Sequence, residues 1–507
     1  MQRRRFLFLL LLSPLPLSAC SAVAQASVRN SGGVEQATPK GPPTISSPTP
    51  AVRPRVTAAT AASMPSLVTS ASTLTASALP ASTSSPIPTA TERPNVRLAA
   101  VHDGDLAVLD TATGSLTQLT NDGINATPRW TTDGQTLFFA KQPFGKQGET
   151  WRWQPGSDPV QVQAGLWSPD GSAVAYMQPA PDAVSGTSTV WVERAGTRHQ
   201  ITPTERGREW EALAWSPDSR RLALARYTTM AGGPGGVLRD LATLWLTDPT
   251  LTQRSQLPLP NPHGQMHSWP DTVRWSPDGS WLLLGVGPGQ GCSSCRADGL
   301  PFYALPATGG GAAVLLERAL SDGAIAWAPD GRWTVFSGGA NVGRSTYQKK
   351  RLTRFDGLSG QYTILTSDPQ WSDIAPAVSP DSRQIAFARG HSQRPGETTI
   401  AAITSRQVWV MAATGGQQRP VTNTAGWTDE APVWTPDGAW IVFVRWRPKG
   451  AADPAAAGLW AVRPDGSQLQ PLGVTIGSSH GPTTYINGFG YYGSFGWDHQ
   501  YAIAPKP

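Results

Sequence analysis

Four short segments set an indole beside a carboxylate: Glu209-Trp210-Glu211, Trp269-Pro270-Asp271, Trp371-Ser372-Asp373 and Trp427-Thr428-Asp429, with Asp322 at the matching place in a fifth. Side chains of these two kinds can stack on sugar faces while bonding hydroxyls, or hold a cationic group by ring quadrupole and charge. They make Trp210, Glu211, Trp269, Asp271, Asp322, Trp371, Asp373, Trp427 and Asp429 the candidate ligand-binding residues. The same residues have a structural use, with the Trp wedged between packed sheets and the acid capping backbone N–H groups. Asp322, Asp373 and Asp429 would also suit a divalent ion in a channel, as in a lactonase or lyase.

Other reactive residues point to less. His263 and His267 stand four apart, but Pro262, Gly264 and Pro270 forbid a helix and no Glu follows the first His. A zinc protease motif is excluded and a solvated loop expected. Cys292 and Cys295, separated by two residues in a Gly-rich stretch, read as a local disulfide if the chain is exported, with a free or redox pair as the alternative. Gly493-Ser494-Phe495-Gly496 lacks the first Gly of a nucleophile elbow, because Tyr492 stands there. No catalytic nucleophile, phosphate-binding Gly loop or cofactor is expected.

What positions the candidates is a repeated phrase, clearest at Trp275-Ser276-Pro277-Asp278-Gly279. Copies begin at Trp130, Trp167, Trp215, Trp327, Val378 and Trp434. Pro fixes φ, Asp bonds its own backbone and Gly accepts the left-handed region, so each copy is the turn of a β-hairpin. A buried apolar run follows, such as Arg221-Leu222-Ala223-Leu224 or Trp440-Ile441-Val442-Phe443. Next comes a strand with a central aromatic, as in Val408-Trp409-Val410, and then a short one. With the strand before the phrase, each unit has four strands, a to d.

Such a repeat demands a repeat architecture: an all-β propeller of four-stranded antiparallel blades. Seven phrase-bearing units and a composite unit at Val96 give eight blades. Seven is the alternative, because Trp167 follows Trp130 by only 37 residues. The composite unit lacks strand a, which Gly490 to Trp497 is expected to supply, with a worn phrase at Trp497 to Gln500. In this meander the b–c and d–a connections share one face. The candidate residues therefore ring the channel mouth beside the longest insertions, Tyr227 to Arg239, Gly287 to Gly299, Gly390 to Gln407 and Arg445 to Gly458.

This four-strand unit with its Trp-Ser-Pro-Asp-Gly phrase resembles the WD-like β-propeller repeat of TolB and its lipoprotein relatives, over residues 96–507. The resemblance implies a propeller, in a repeat family that includes binding proteins and the propeller halves of peptidases. It would also imply six blades and an amino-terminal α/β domain. Here an Ala/Ser/Thr/Pro-rich segment occupies that place, so a Tol-system role is not carried over.

Residues 1–20 run from Arg3-Arg4-Arg5 through Phe6 to Leu12 and end Leu17-Ser18-Ala19-Cys20, an export signal that looks like a lipobox. Lipid attachment at Cys20 is expected, and the membrane is then one partner. The arginines also fit twin-arginine export. Residues 21–95 hold too few large apolar side chains to offset ordering entropy and read as a disordered tether. The formal charge of +6 falls to +3 once the three leader arginines are removed, so nucleic acid is not an expected partner. The expectation is a non-enzymatic propeller anchored in the bacterial cell envelope, holding an envelope protein, peptide or glycan at its loop-rich mouth. The alternative is the metal-dependent propeller enzyme.

Overall fold

The computed structural model describes residues 92–142, 148–180, 186–231, 237–263, 268–288, 299–309, 311–319, 325–339, 348–357, 359–397, 399–449, 453–477 and 497–506. Cys20, most of the expected tether, Asp322, Cys292, Cys295 and Ser494 lie outside the described residues.

Among the described residues thirty-two strands form eight four-stranded units, with units three and four joined by the pair Ser188–Glu209 and units five and six by Ala319–Gly338. The first blade joins Arg97–His102, Asp105–Asp110 and Ser115–Gln118 to Tyr501–Ile503. Blades two to eight are the antiparallel meanders within 125–162, 166–200, 208–257, 268–319, 325–364, 371–420 and 428–476. Every residue of the outer strands Ser115–Gln118, Thr197–Gln200 and Gln361–Ile364 is exposed, which puts strand d at the rim and strand a at the channel. Strand b is buried on both faces, as Trp333–Gly338 illustrates. That is why these runs are apolar without alternation: each sheet lies between two others.

The core fills the gaps between blades. Leu244 and Leu246 of blade four pack with Leu282, Leu284 and Leu305 of blade five. Val442, Leu459 and Ala461 of blade eight pack with Leu98 and Ala100 of blade one. Backbone bonds from Asp103 to Gly477 and from Gly477 to Val101 join the last blade to the first, so the ring closes.

The closing strand is not the expected one. Leu98, Ala99 and Ala100 pair with Ile503, Ala502 and Tyr501, while Trp497–His499 is a single 3-10 turn and residues 490–496 lie outside the described set. By position, the worn phrase is Ile503-Ala504-Pro505 rather than Trp497 to Gln500. Residues 92–95 were assigned to the tether by composition, but Pro94 is buried and its carbonyl accepts from Thr111 Oγ1 at 2.6 Å.

The phrase is a turn, as expected. In the clearest copy Ser276 Oγ donates to Asp278, whose carboxylate accepts from Ser280 N, and Gly279 takes φ 71°. It also binds blades together. The phrase indole donates to the carbonyl just ahead of the previous blade's phrase: Trp130 to Ala502, Trp215 to Leu166, Trp275 to Ala214 and Trp434 to Ala377, at 2.8–3.3 Å.

Candidate functional site

The mouth is built from strands a and b. Strand b of blades two, four, seven and eight ends its apolar run in a cation eleven residues after the start of the phrase: Lys141, Arg226, Arg389 and Arg445. Each meets a carboxylate. Asp373 grips Arg389 in a two-pronged pair at 2.6 and 2.8 Å, and Asp429 grips Arg445 at 2.6 and 2.7 Å. Glu205 serves Arg226 at 3.3 Å, and Asp122 serves Lys141 at 2.6 Å.

Indoles enclose these cations. The Arg389 guanidinium lies 5.8, 5.1 and 4.8 Å from the rings of Trp371, Phe387 and Trp409. Arg445 repeats this at 5.6, 5.4 and 4.9 Å from Trp427, Phe443 and Trp460. In blade four Trp210 and Trp245 flank Arg226 at 5.5 and 5.3 Å. The Asp373 and Asp429 pairs are buried, so their charges are matched by fork geometry and by ring quadrupoles rather than by water.

These residues occupy the first half of strand a, not the connecting segment that the sequence reading expected: Trp210 and Glu211 lie in Arg208–Trp215, and Trp269 and Asp271 in Ser268–Trp275. Strand a is longer because it contains a bulge. In blades two, seven and eight the bulge holds Thr127, Ala375 and Ala431 at φ 52°, 51° and 49°, each just before a proline. A non-glycine residue there is strained, and persists because pairing on both sides of the bulge fixes it.

The candidate residues thus divide. Trp210, Asp373 and Asp429 are buried in pillars; Trp371 and Trp427 are half-buried beside them; Trp269 stacks edge-on against Tyr227 at 5.5 Å. Glu211 lies half-buried opposite Ala225, and Asp271 accepts from Thr272 Oγ1 at 3.2 Å. The carboxylates of Asp373 and Asp429 do not fit a divalent ion, since each is neutralised by an arginine that a metal would have to displace. Among the described residues no group of three or more His, Cys, Asp or Glu side chains is placed to hold a metal.

A second layer lies outside the pillars. Two residues beyond Arg389 stands His391, opposite Trp371, bonded to Glu397 at 2.6 Å. Burial pushes the Glu397 carboxyl up, but hydrogen bonds from Arg394 N and His391 outweigh it and hold it below the usual value. Two residues beyond Arg445 stands Arg447, exposed, its guanidinium 4.2 Å from the Trp427 ring centroid. Deeper, Glu430 accepts from Arg406, Trp446 and Trp497, joining blades seven and eight to the closing segment. Lys350, at the place in blade six that Arg406 holds in blade seven, is buried, and burial pushes its amine down to about 8. Sequence reading missed all of these cations. For Lys141, Arg226, Arg389 and Arg445 the signal was a lysine or arginine closing the strand-b run in those four blades.

The class defined by these sheets is an eight-bladed β-propeller; the assignment rests on strand pairing in this chain. No family model matches. Solved structures similar to it include dipeptidyl peptidase 4 of Porphyromonas gingivalis, at 12% identity and TM-score 0.49 over 74% of this chain and 59% of that one. A TolB-designated protein of Agrobacterium tumefaciens is similar at 19% identity and TM-score 0.31, over 61% and 94% of the two chains. TolB of Acinetobacter baumannii is similar at 14% and 0.31, over 81% and 67%. The chain spans about three fifths of the length of the peptidase.

Proposed function

We propose that this protein is an exported, lipid-anchored binding propeller, tethered through Cys20, that holds an envelope protein, peptide or glycan on the face formed by its b–c and d–a connections. One observation carries the reading: the two faces are built differently. On the phrase face blades two to eight make the same short turn, and successive turns pack together, as Gly331 does on Asp278 and Gly438 on Pro380. On the other face the b–c connection is a two-residue turn at Asp103-Gly104 in blade one but is longer in every other blade and differs from blade to blade. Blade seven inserts residues 392–406, including the helix Thr399–Thr404, and blades four and eight lengthen the hairpin itself. Long connections on a rigid scaffold are where binding residues concentrate.

The buried pillars support the same reading, because they hold the mouth strands rigid beneath these connections. A photo-crosslinking residue at Arg394, on the connection face, is expected to capture an envelope component. The same residue at Gln135, on the phrase face, is expected to capture none. Equal capture from both, or capture from Gln135 alone, would overturn the proposal. Palmitate labelling that survives Cys20→Ser would remove the lipid anchor from it.

A further inference from the structure

Seven of the eight seams between neighbouring blades are filled by an apolar cluster that both sheets share. Among the described residues the seam between blades two and three has none, although every strand residue on both sides of it is described. Phe139 of blade two packs toward blade one, and Ala173, Ala175, Val190 and Val192 of blade three pack toward blade four. Their alternates Phe138 and Val174 lie on the two faces that meet at this seam. Strand register puts Arg152 and Val160 on the face of Phe138, and Arg198 on the face of Val174. All three are exposed, so the outer part of the seam is open to solvent.

The contacts that do cross sit at the phrase end. Phe138 stacks on Trp167 at 4.8 Å, the Arg129 guanidinium donates to the Trp167 carbonyl at 2.8 Å, and Thr132 N donates to the Pro169 carbonyl at 2.9 Å. Farther out, Arg198 donates to Tyr176 of its own sheet at 2.7 Å. The channel wall is thin here as well, since strand a of blade three is only Leu166–Trp167, against Arg208–Trp215 in blade four. On its other side blade three is firmly held, by the shared cluster, by the Trp215 indole on the Leu166 carbonyl at 2.8 Å and by the pair Ser188–Glu209.

We infer that this seam is a lateral gate: blades two and three part along their outer strands, hinged at the phrase end, and admit an extended chain sideways to the channel past the two-residue strand. Shared apolar burial is what holds sheets face to face, so the seam that lacks it opens at the least cost while the other seven stay closed. The inference concerns the ring itself and does not depend on which face binds.

The test uses the full chain in detergent and two cysteine variants on opposite faces of one blade. Val174→Cys puts a thiol on the gate face and Val192→Cys puts one on the face toward blade four, at positions 2% and 3% exposed. Each is labelled in native buffer with a small disulfide reagent and with a maleimide carrying a polyethylene glycol chain, and the reaction of the parent chain is subtracted. Val174→Cys is expected to react about a hundredfold faster than Val192→Cys with both reagents, at a rate that low denaturant leaves unchanged. The backbone amides of Ala173–Pro179 should stay protected from hydrogen exchange over the same period, because parting two sheets breaks no bond within either. Equal rates at the two positions would overturn the inference. Labelling of Val174→Cys by the small reagent alone would also overturn it, since a gate must admit a chain. So would amide exchange as fast as labelling, which would mean that blade three unfolds.

Discussion

Blades seven and eight finish strand b with an arginine satisfied inside its own blade, whereas blades five and six carry Val286 and Gly338 at the same place. Blade five still has its Trp269-Pro270-Asp271 segment, but Trp269 packs against Tyr227 of blade four. Blade six receives its acid from next door. Glu317 of blade five lies over Gly338 and accepts from Arg351, Thr353 and Gly339 N. A side chain at position 338 would meet that carboxylate at 2.5 Å, so the missing arginine and the intruding acid are one arrangement. The lesson is that an acid near the mouth serves whichever cation the local packing leaves buried. Its presence in the sequence says little about ligands until that cation is found.

The comparison can be broken most forcefully at Asp429. Asp429→Ala leaves Arg445 buried without its counter-ion and should cost about 3–5 kcal/mol of stability, measured by denaturant unfolding. A loss near that of a surface substitution would mean the pillar is not structural. Lys350 gives the next largest effect. Its folded pKa of about 8 lies below the ordinary lysine value of 10.5, so charging it opposes folding at neutral pH. That penalty is full below about 8 and fades as pH rises toward 10.5. Lys350→Met should therefore stabilise the chain at pH 7, by an amount that shrinks on titration through that window. A gain independent of pH would contradict the assignment.

The seams give the finest contrast. Trp434→Phe removes an indole bond to blade seven and should cost about 1 kcal/mol beyond its packing effect. Trp327→Phe should cost less, because the Trp327 indole N–H is buried without a partner among the described residues. Equal losses would show that the indole bond between blades does not discriminate one seam from another.

The repeat unit was legible because the turn chemistry of Trp-Ser-Pro-Asp-Gly is local and each copy must satisfy it separately. Seven units were legible for the same reason, and the eighth came from the strand, turn and strand pattern that begins at Val96. The closing strand was not, because its phrase had shrunk to Ile503-Ala504-Pro505. At that seam Trp497 and Tyr501 reach Glu430 and the Ala431 carbonyl, and Ile503 has no indole to offer. Trp497 lies six residues ahead of Ile503, as Trp269 lies ahead of Trp275. Counting back from the phrase would therefore have placed Trp497 among the mouth indoles rather than at a turn.

At the mouth, sequence spacing placed Trp371, Asp373, Trp427 and Asp429 at one end of strand a but could not show that they are mostly committed. That depends on Arg389 and Arg445, which are 16 residues from their acids and become neighbours only through strand register. The short pattern Asp-x-Ala-Pro, at Asp373 to Pro376 and Asp429 to Pro432, marks the bulged strands and was available in the sequence.

The central claim is that mouth acids maintain the scaffold while the outer layer meets the ligand. It is tested most directly by measuring melting temperature and the capture yield of the Arg394 crosslinker together in Asp429→Asn. The account predicts that Asp429→Asn lowers the melting temperature while the folded protein keeps its capture. An Asp429→Asn chain that melts normally but loses capture would contradict it.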